Sequence, residues 1–385
     1  MYFFSALDSN YRIKGSRDPL GFQSLWSAAG HKAVKHLSTV SSNLKDFMIL
    51  CYGIYFYGER DPRGFISFFL KFEQLCAYAR RIHNKETSFN GVEFVNKKIN
   101  DLEFNISLKD TILSNQRAYG IYGKYIRPLR DMGITNDQNF NAIIESSMSK
   151  TDIKSILKLV NPLLEGSDSK SIITLNDLFP VGALLKTLTE DERHLYREYI
   201  LMIPEVEHPQ NNLYEVIWHN QEIAAANFQL QYTTQAILSK KEINESLTYV
   251  LKNIIGTDKV LHPINKIFTH LLSKSLWSNE EIMNEKLFQK LPGIVDYDFL
   301  DETIIKLNKM LGLPIIDLVK ELVKRNEEVS TLRGNKAWIE ENKKLFRVLY
   351  GENGQKISEI NTESEYEFPY FLNNYIGLFK QIELT

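Results

Sequence analysis

Residues 47–79 constrain the fold more than any other stretch of this chain. They read FMILCYGIYFYGERDPRGFISFFLKFEQLCAYA, dense in aromatic side chains and split once, at residues 58–62. The spacing predicts two helices packed as a hairpin at the centre of an N-terminal core. Asp61 suits an N-cap, since its carboxylate accepts from free N–H groups of the first turn, and Pro62 suits the first helical position. Phe65, Phe68, Phe69, Phe72, Leu75, Cys76 and Ala79 then recur at intervals of three and four, on one face. Lys71, Glu73, Arg80 and Arg81 are assigned to the other faces. Residues 47–57 are apolar nearly all round, which predicts burial on several sides. They make up about half of the ~20 residues that a membrane span needs, so no membrane partner is expected.

Elsewhere the pattern is helix after helix, and the predicted fold class is mainly α. The 385 residues suggest two or three domains, at ~150 residues each. Charge supplies a boundary. Residues 1–130 carry 19 Lys and Arg against 11 Asp and Glu, whereas the remainder carries 27 against 37. A basic helical domain is therefore expected over 1–135 and an acidic helical bundle over 136–385, with a linker at 133–150. Two cysteines, Cys51 and Cys76, both fall in the apolar hairpin and read as core residues of a reducing compartment. The first seven residues lack a basic start followed by an apolar run, so the expectation is cytoplasmic.

Finer readings follow from local signals. Helices are expected over 22–40, 90–102 and 213–238, and near 299–311, 314–331, 335–350 and 368–382. Residues 351–354 are a turn. Ser114 is expected to cap a helix over 115–130 that Pro128 bends or divides. The weak alternation at 104–108 predicts a short strand, which could form the wing of a winged-helix element. Thr151 reads as a cap. Thr189 with Glu192, Ser239 with Glu242 and Ser278 with Glu281 read as capping boxes.

Catalytic signatures are missing. Eight histidines are scattered and none makes a zinc-peptidase motif. His219 and Glu222 have di-iron spacing, but such a site needs a second copy. His83, Asn84 and Lys85, with Asn90, match a phospholipase-D-type pattern only in part. No nucleophile elbow, dinucleotide fingerprint or phosphate-binding Walker loop is present. No catalytic residue, metal or cofactor is assigned. The functional candidate is the basic–aromatic segment at 115–130. Arg117, Lys124, Arg127 and Arg130 could hold phosphates there, and Tyr119, Tyr122 or Tyr125 could stack on bases or brace the core. Lys14, Arg17, Lys32 and Lys35 extend the basic set.

Three passages resemble uncharacterised bacterial proteins of multi-gene anti-phage defence clusters. They are RDPLGFQSLWSAAGHKAVKHLSTVSSNLKDF at 17–47, LSNQRAYGIYGKYIRPLRDMGI at 113–134 and NKKLFRVLYG at 342–351. The resemblance implies a subunit of a DNA-linked complex and carries no residue roles. The expected function is a non-catalytic complex subunit. Its basic half would contact nucleic acid, DNA rather than RNA, and its acidic half would contact protein partners or a second copy. The alternatives are a nuclease or phosphodiesterase with an unrecognised site, and a purely protein-binding adaptor.

Overall fold

The computed structural model describes residues 18–99, 103–148, 150–164, 171–204, 207–226, 230–350, 368 and 370–384. Its fold is mainly α. The first stretch of chain forms α1 (Phe22–Ala33), α2 (Leu44–Tyr57), α3 (Phe65–Ile82), α4 (Val92–Lys98), β1 (Glu103–Ile106), α5 (Gln116–Tyr119) and α6 (Ile121–Met132). There follow α7 (Phe140–Ser146), α8 (Lys150–Leu164), β2 (Ser171–Thr174), α9 (Phe179–Leu184), α10 (Glu190–Tyr196), α11 (Pro209–His219) and α12 (Glu222–Ala225). Then come α13 (Leu230–Leu238), α14 (Glu245–Leu271), β3 (Leu276–Ser278), α15 (Asn279–Asn284), α16 (Glu302–Met310) and α17 (Ile315–Leu332). Two strands, β4 (Ile339–Asn342) and β5 (Leu345–Val348), precede the last helix, α18 (Leu372–Glu383).

These elements pack as two compact units, and neither is continuous in sequence. One combines Met1–Ala33 with Phe228–Tyr370, and the other combines Val34–Asn227 with Phe371–Thr385. The break expected at 133–150 falls instead inside the second unit, where residues 140–146 form α7. The charge division does not survive folding either. The second unit holds 23 Lys and Arg against 25 Asp and Glu, and the first holds 23 of each. The polarity along the chain is thus spread within each unit.

In the second unit the predicted hairpin is the centre. Asn43 caps α2 by accepting from Lys45 N, and the Asp61 side chain accepts from Arg63 N at the start of a 3-10 turn, Pro62–Gly64, that runs into α3. The two helices close at Gly53, where a Cβ would lie 2.6 Å from the Phe69 ring, so only glycine permits this approach. Around the hairpin pack α6, α7, α8, α9 and α18. β1 pairs antiparallel with β2, with Glu103 opposite Thr174. The strand expected at 104–108 therefore forms, but its partner lies beyond α8 and not in a local wing. The last helix is tied in by polar bonds. Gln381 Oε1 accepts from Leu44 N at 2.8 Å, Tyr375 donates to Leu201 O at 2.9 Å, and Arg197 grips the buried Glu383 carboxylate through Nε and Nη2 at 2.6 and 2.7 Å.

In the first unit α14 is the core helix. Val260, Leu261, Ile264, Ile267, Phe268 and Leu271, spaced along one face of α14, are all buried, as is Leu272 just beyond it. α1, α13 and α16 pack on it. A three-stranded antiparallel sheet in the order β3, β5, β4 replaces the helix expected over 335–350. Period-two alternation explains this, since Phe346 and Val348 are buried between exposed Leu345 and Arg347.

Other expected helices are shorter. The helix over 22–40 stops at Ala33, and His36 beyond it adopts a positive φ of 69°. The span 213–238 is divided, and Asn220 closes α11 by donating to Val216 O at 2.8 Å. His219 and Glu222 consequently lie on different helices. The boxes at Thr189–Glu192 and Ser278–Glu281 form, whereas Asn244, not Ser239, caps the helix that follows. The turn expected at 351–354 lies outside the described residues.

Candidate nucleic-acid interface

The segment at 115–130 is divided at Gly120, not at Pro128, which sits inside α6. Asn115, one residue later than expected, caps α5 by accepting from Ala118 N. α6 is amphipathic. Ile121, Tyr125, Pro128, Leu129 and Met132 are buried, and Arg127 and Arg130 point to solvent, with side chains 82% and 75% exposed. Asp131 stands between them, 3.5 Å from Arg127 Nε and 4.0 Å from Arg130 Nε. Exposed pairs of this kind contribute little to stability, so both guanidiniums can exchange partners readily. Arg117 is exposed on α5, and Lys124 is half-buried.

The three tyrosines separate by role. Tyr125 is buried, meets Phe47 edge-on at 4.8 Å and accepts from Asn43 N at 3.1 Å. Tyr122 lies 6.1 and 6.2 Å from the Phe65 and Phe69 rings, and so braces α6 on α3. Only Tyr119, 60% exposed, offers a ring to a ligand. Arg117 and Tyr119 are thus exposed on α5, and Arg127 and Arg130 on the adjoining α6. Of the other basic candidates, Lys32 belongs to the first unit, where it binds Asp301 Oδ1 at 2.5 Å. Lys35 belongs to the second unit, and its backbone N donates to Gln210 Oε1 at 2.7 Å. Lys14 and Arg17 lie outside the described residues.

Beneath this surface lies a polar cluster that the helical pattern does not reveal. Lys71, Glu73 and Arg80 fall off the apolar face of α3, yet each is at most 3% exposed. Neighbouring elements enclose α3 on its polar side as well, which overturns the amphipathic assignment. The Glu73 carboxylate crosses to the start of α6. Its Oε1 accepts from Ile121 N at 2.7 Å and its Oε2 from Gln116 Nε2 at 2.9 Å. It therefore does the work of an N-cap from another helix, where the positive end of the α6 dipole favours a carboxylate. Burial nevertheless dominates and pushes the Glu73 carboxyl up to about 7, against the lowering effect of those hydrogen bonds.

Gly120 makes that contact possible, since a Cβ there would sit 2.5 Å from Gln116 O and 2.6 Å from Glu73 Oε1. Gly120→Ala is therefore expected to lower stability by about 1–3 kcal/mol, the usual range for overpacking, as read by urea denaturation. An unchanged midpoint would show that α6 can shift without cost.

Arg80 anchors the rest of the cluster. It donates from Nη1 to Asp46 Oδ1 at 2.7 Å and from Nε to Glu86 Oε2 at 2.8 Å, and Lys45 Nζ reaches Glu86 Oε1 at 2.6 Å. Burial raises the Asp46 carboxyl even beside Arg80. Burial also pushes Glu86 upward, but Arg80 and Lys45 outweigh it and hold that carboxyl below its ordinary value. His83, from the partial phosphodiesterase pattern, is bonded through Nε2 to Leu175 O at 3.1 Å and packs edge-on against Phe179.

Among the described residues, no group of three or more His, Cys, Asp or Glu side chains could hold a metal ion. None of the described helices is long and apolar enough to cross a membrane. The chain matches no family model, no curated protein and no solved structure.

Proposed function

We propose that this protein is a non-catalytic subunit of a bacterial multi-protein complex that contacts nucleic acid, DNA before RNA, through the α5–α6 surface. The observation that carries the reading is the exposure of Arg117 and the Tyr119 ring on α5 and of Arg127 and Arg130 on the adjoining α6. Guanidiniums would neutralise phosphates, and Tyr119 would stack on an unpaired base. Protein partners, a cytoplasmic location and a role in defence against phage belong to the same proposal, the last through the resemblance of 17–47, 113–134 and 342–351. A second reading, a protein-binding adaptor, draws support from the near-neutral balance of each unit, because neither unit carries a large excess of positive charge.

The test is fluorescence anisotropy with a labelled duplex and a labelled single strand at two salt concentrations. The variant pairs Arg127→Glu with Arg130→Glu, because Lys124 is half-buried and its charge reaches Asp46. Binding to any sequence is expected to weaken at least ~10-fold at low salt. Loss of two phosphate contacts should flatten the salt slope by about 2, since fewer counterions are released. The melting temperature should stay within about a degree, both side chains being exposed. Unchanged affinity in the folded variant removes this surface from the site. Failure of the wild type to bind either nucleic acid leaves the adaptor reading.

A further inference from the structure

Arg80 poses a problem that its ion pairs do not solve. The residue is 2% exposed, and Nε and Nη1 are bonded to Glu86 and Asp46, but Nη2 has no protein partner. A buried guanidinium donor without an acceptor is costly, because its hydration is lost and nothing replaces it. The Phe89 ring, 4.8 Å from Arg80 Cζ, offers only a cation–π contact and no lone pair. Arg80 also lines a cavity of about 10 Å³, together with Asp46 and Glu73. That volume is at the lower limit for one water molecule, about 10–15 Å³, and is too small for a larger ligand. The wall supplies what a buried water needs, namely a donor at Arg80 Nη2 and carboxylates at Asp46 and Glu73. Buried waters make about three such bonds.

We propose that this cavity is a binding site for a single water molecule, which accepts from Arg80 Nη2 and donates to the Glu73 and Asp46 carboxylates. The water would join the two halves of the cluster. On one side are Arg80, Asp46, Glu86 and Lys45, which tie α2 to α3. On the other are Glu73, Gln116 and the first N–H of α6. The inference is independent of what α6 binds at its outer face.

One measurement tests it. In a crystal structure of the wild-type protein at about 1.5 Å, one density peak is expected within hydrogen-bond distance, ~3 Å, of Arg80 Nη2 and of a carboxylate oxygen. A cavity without density, or Arg80 turned onto a protein acceptor, overturns the proposal.

Discussion

Arg80→Met is expected to lower the stability of the protein by about 3–5 kcal/mol, the range measured when one partner of a buried ion pair is removed. Methionine fills much of the same volume, so the loss is electrostatic more than steric. It leaves Asp46, 5% exposed, and the largely covered Glu86 without their shared cation. Lys45 still reaches Glu86, but Asp46 keeps only the Tyr125 hydroxyl and the more distant charge of Lys124. Arg80→Lys should fall between the two, because an ammonium cannot bond both carboxylates in the planar geometry of a guanidinium. The measurement is urea denaturation followed by circular dichroism. If the Met variant unfolds at the wild-type midpoint, the network contributes nothing net to the folded state. Adding Asp46→Asn to Arg80→Met should recover part of the loss, since the stranded charge is then gone.

The second large effect concerns pH. The Glu73 carboxyl is raised to about 7 in the folded protein from an ordinary value near 4.5. The folded state therefore holds this proton more tightly than the unfolded chain does. Its contribution to stability is fully present below about pH 4.5 and is lost as pH rises through about 7. A shift of that size corresponds to roughly 3 kcal/mol across the window. Asp46 is raised and acts in the same direction, whereas Glu86 is lowered and acts oppositely. The informative quantity is thus the difference between wild type and Glu73→Gln. The wild type should lose stability relative to the variant as pH rises from 4.5 to 7. The variant itself should lose one hydrogen bond at every pH, because its amide cannot accept from both Ile121 and Gln116. A difference that stays flat with pH would mean that Glu73 titrates as an ordinary carboxyl.

The parts of this fold that were legible in the sequence are those set by local physics. The hairpin, the Asp61 cap and two of the three capping boxes each depend on a few neighbouring residues, and each forms as expected. The failures come from distant partners. Lys71, Glu73 and Arg80 fall off the apolar face, and periodicity cannot see that neighbouring elements bury that part of α3 as well. The strands β4 and β5 look helical until Phe346 and Val348 are known to be buried and to pair with Trp277 and Ile339 across the sheet. Charge misled for the same reason, since the acidic partners of a basic segment can be far along the chain. At the candidate interface, the cations of α6 were legible from composition. Which tyrosine remains available was not, because that depends on Phe47, Phe65 and Phe69.

The discontinuity of the two units also bears on how the protein is made. α2 and α3 leave the ribosome early, but the helix that bonds to Leu44, Leu201 and Arg197 leaves after the whole intervening segment of the other unit. At ~5–20 residues per second, that interval lasts roughly seven to thirty seconds. Throughout it, the apolar surface destined for Leu372, Tyr375, Leu378 and Phe379 stays uncovered on the nascent chain. Apolar surface exposed for that long makes a chain prone to aggregate, so the late arrival of α18 is the step at which this one is most exposed to misassembly.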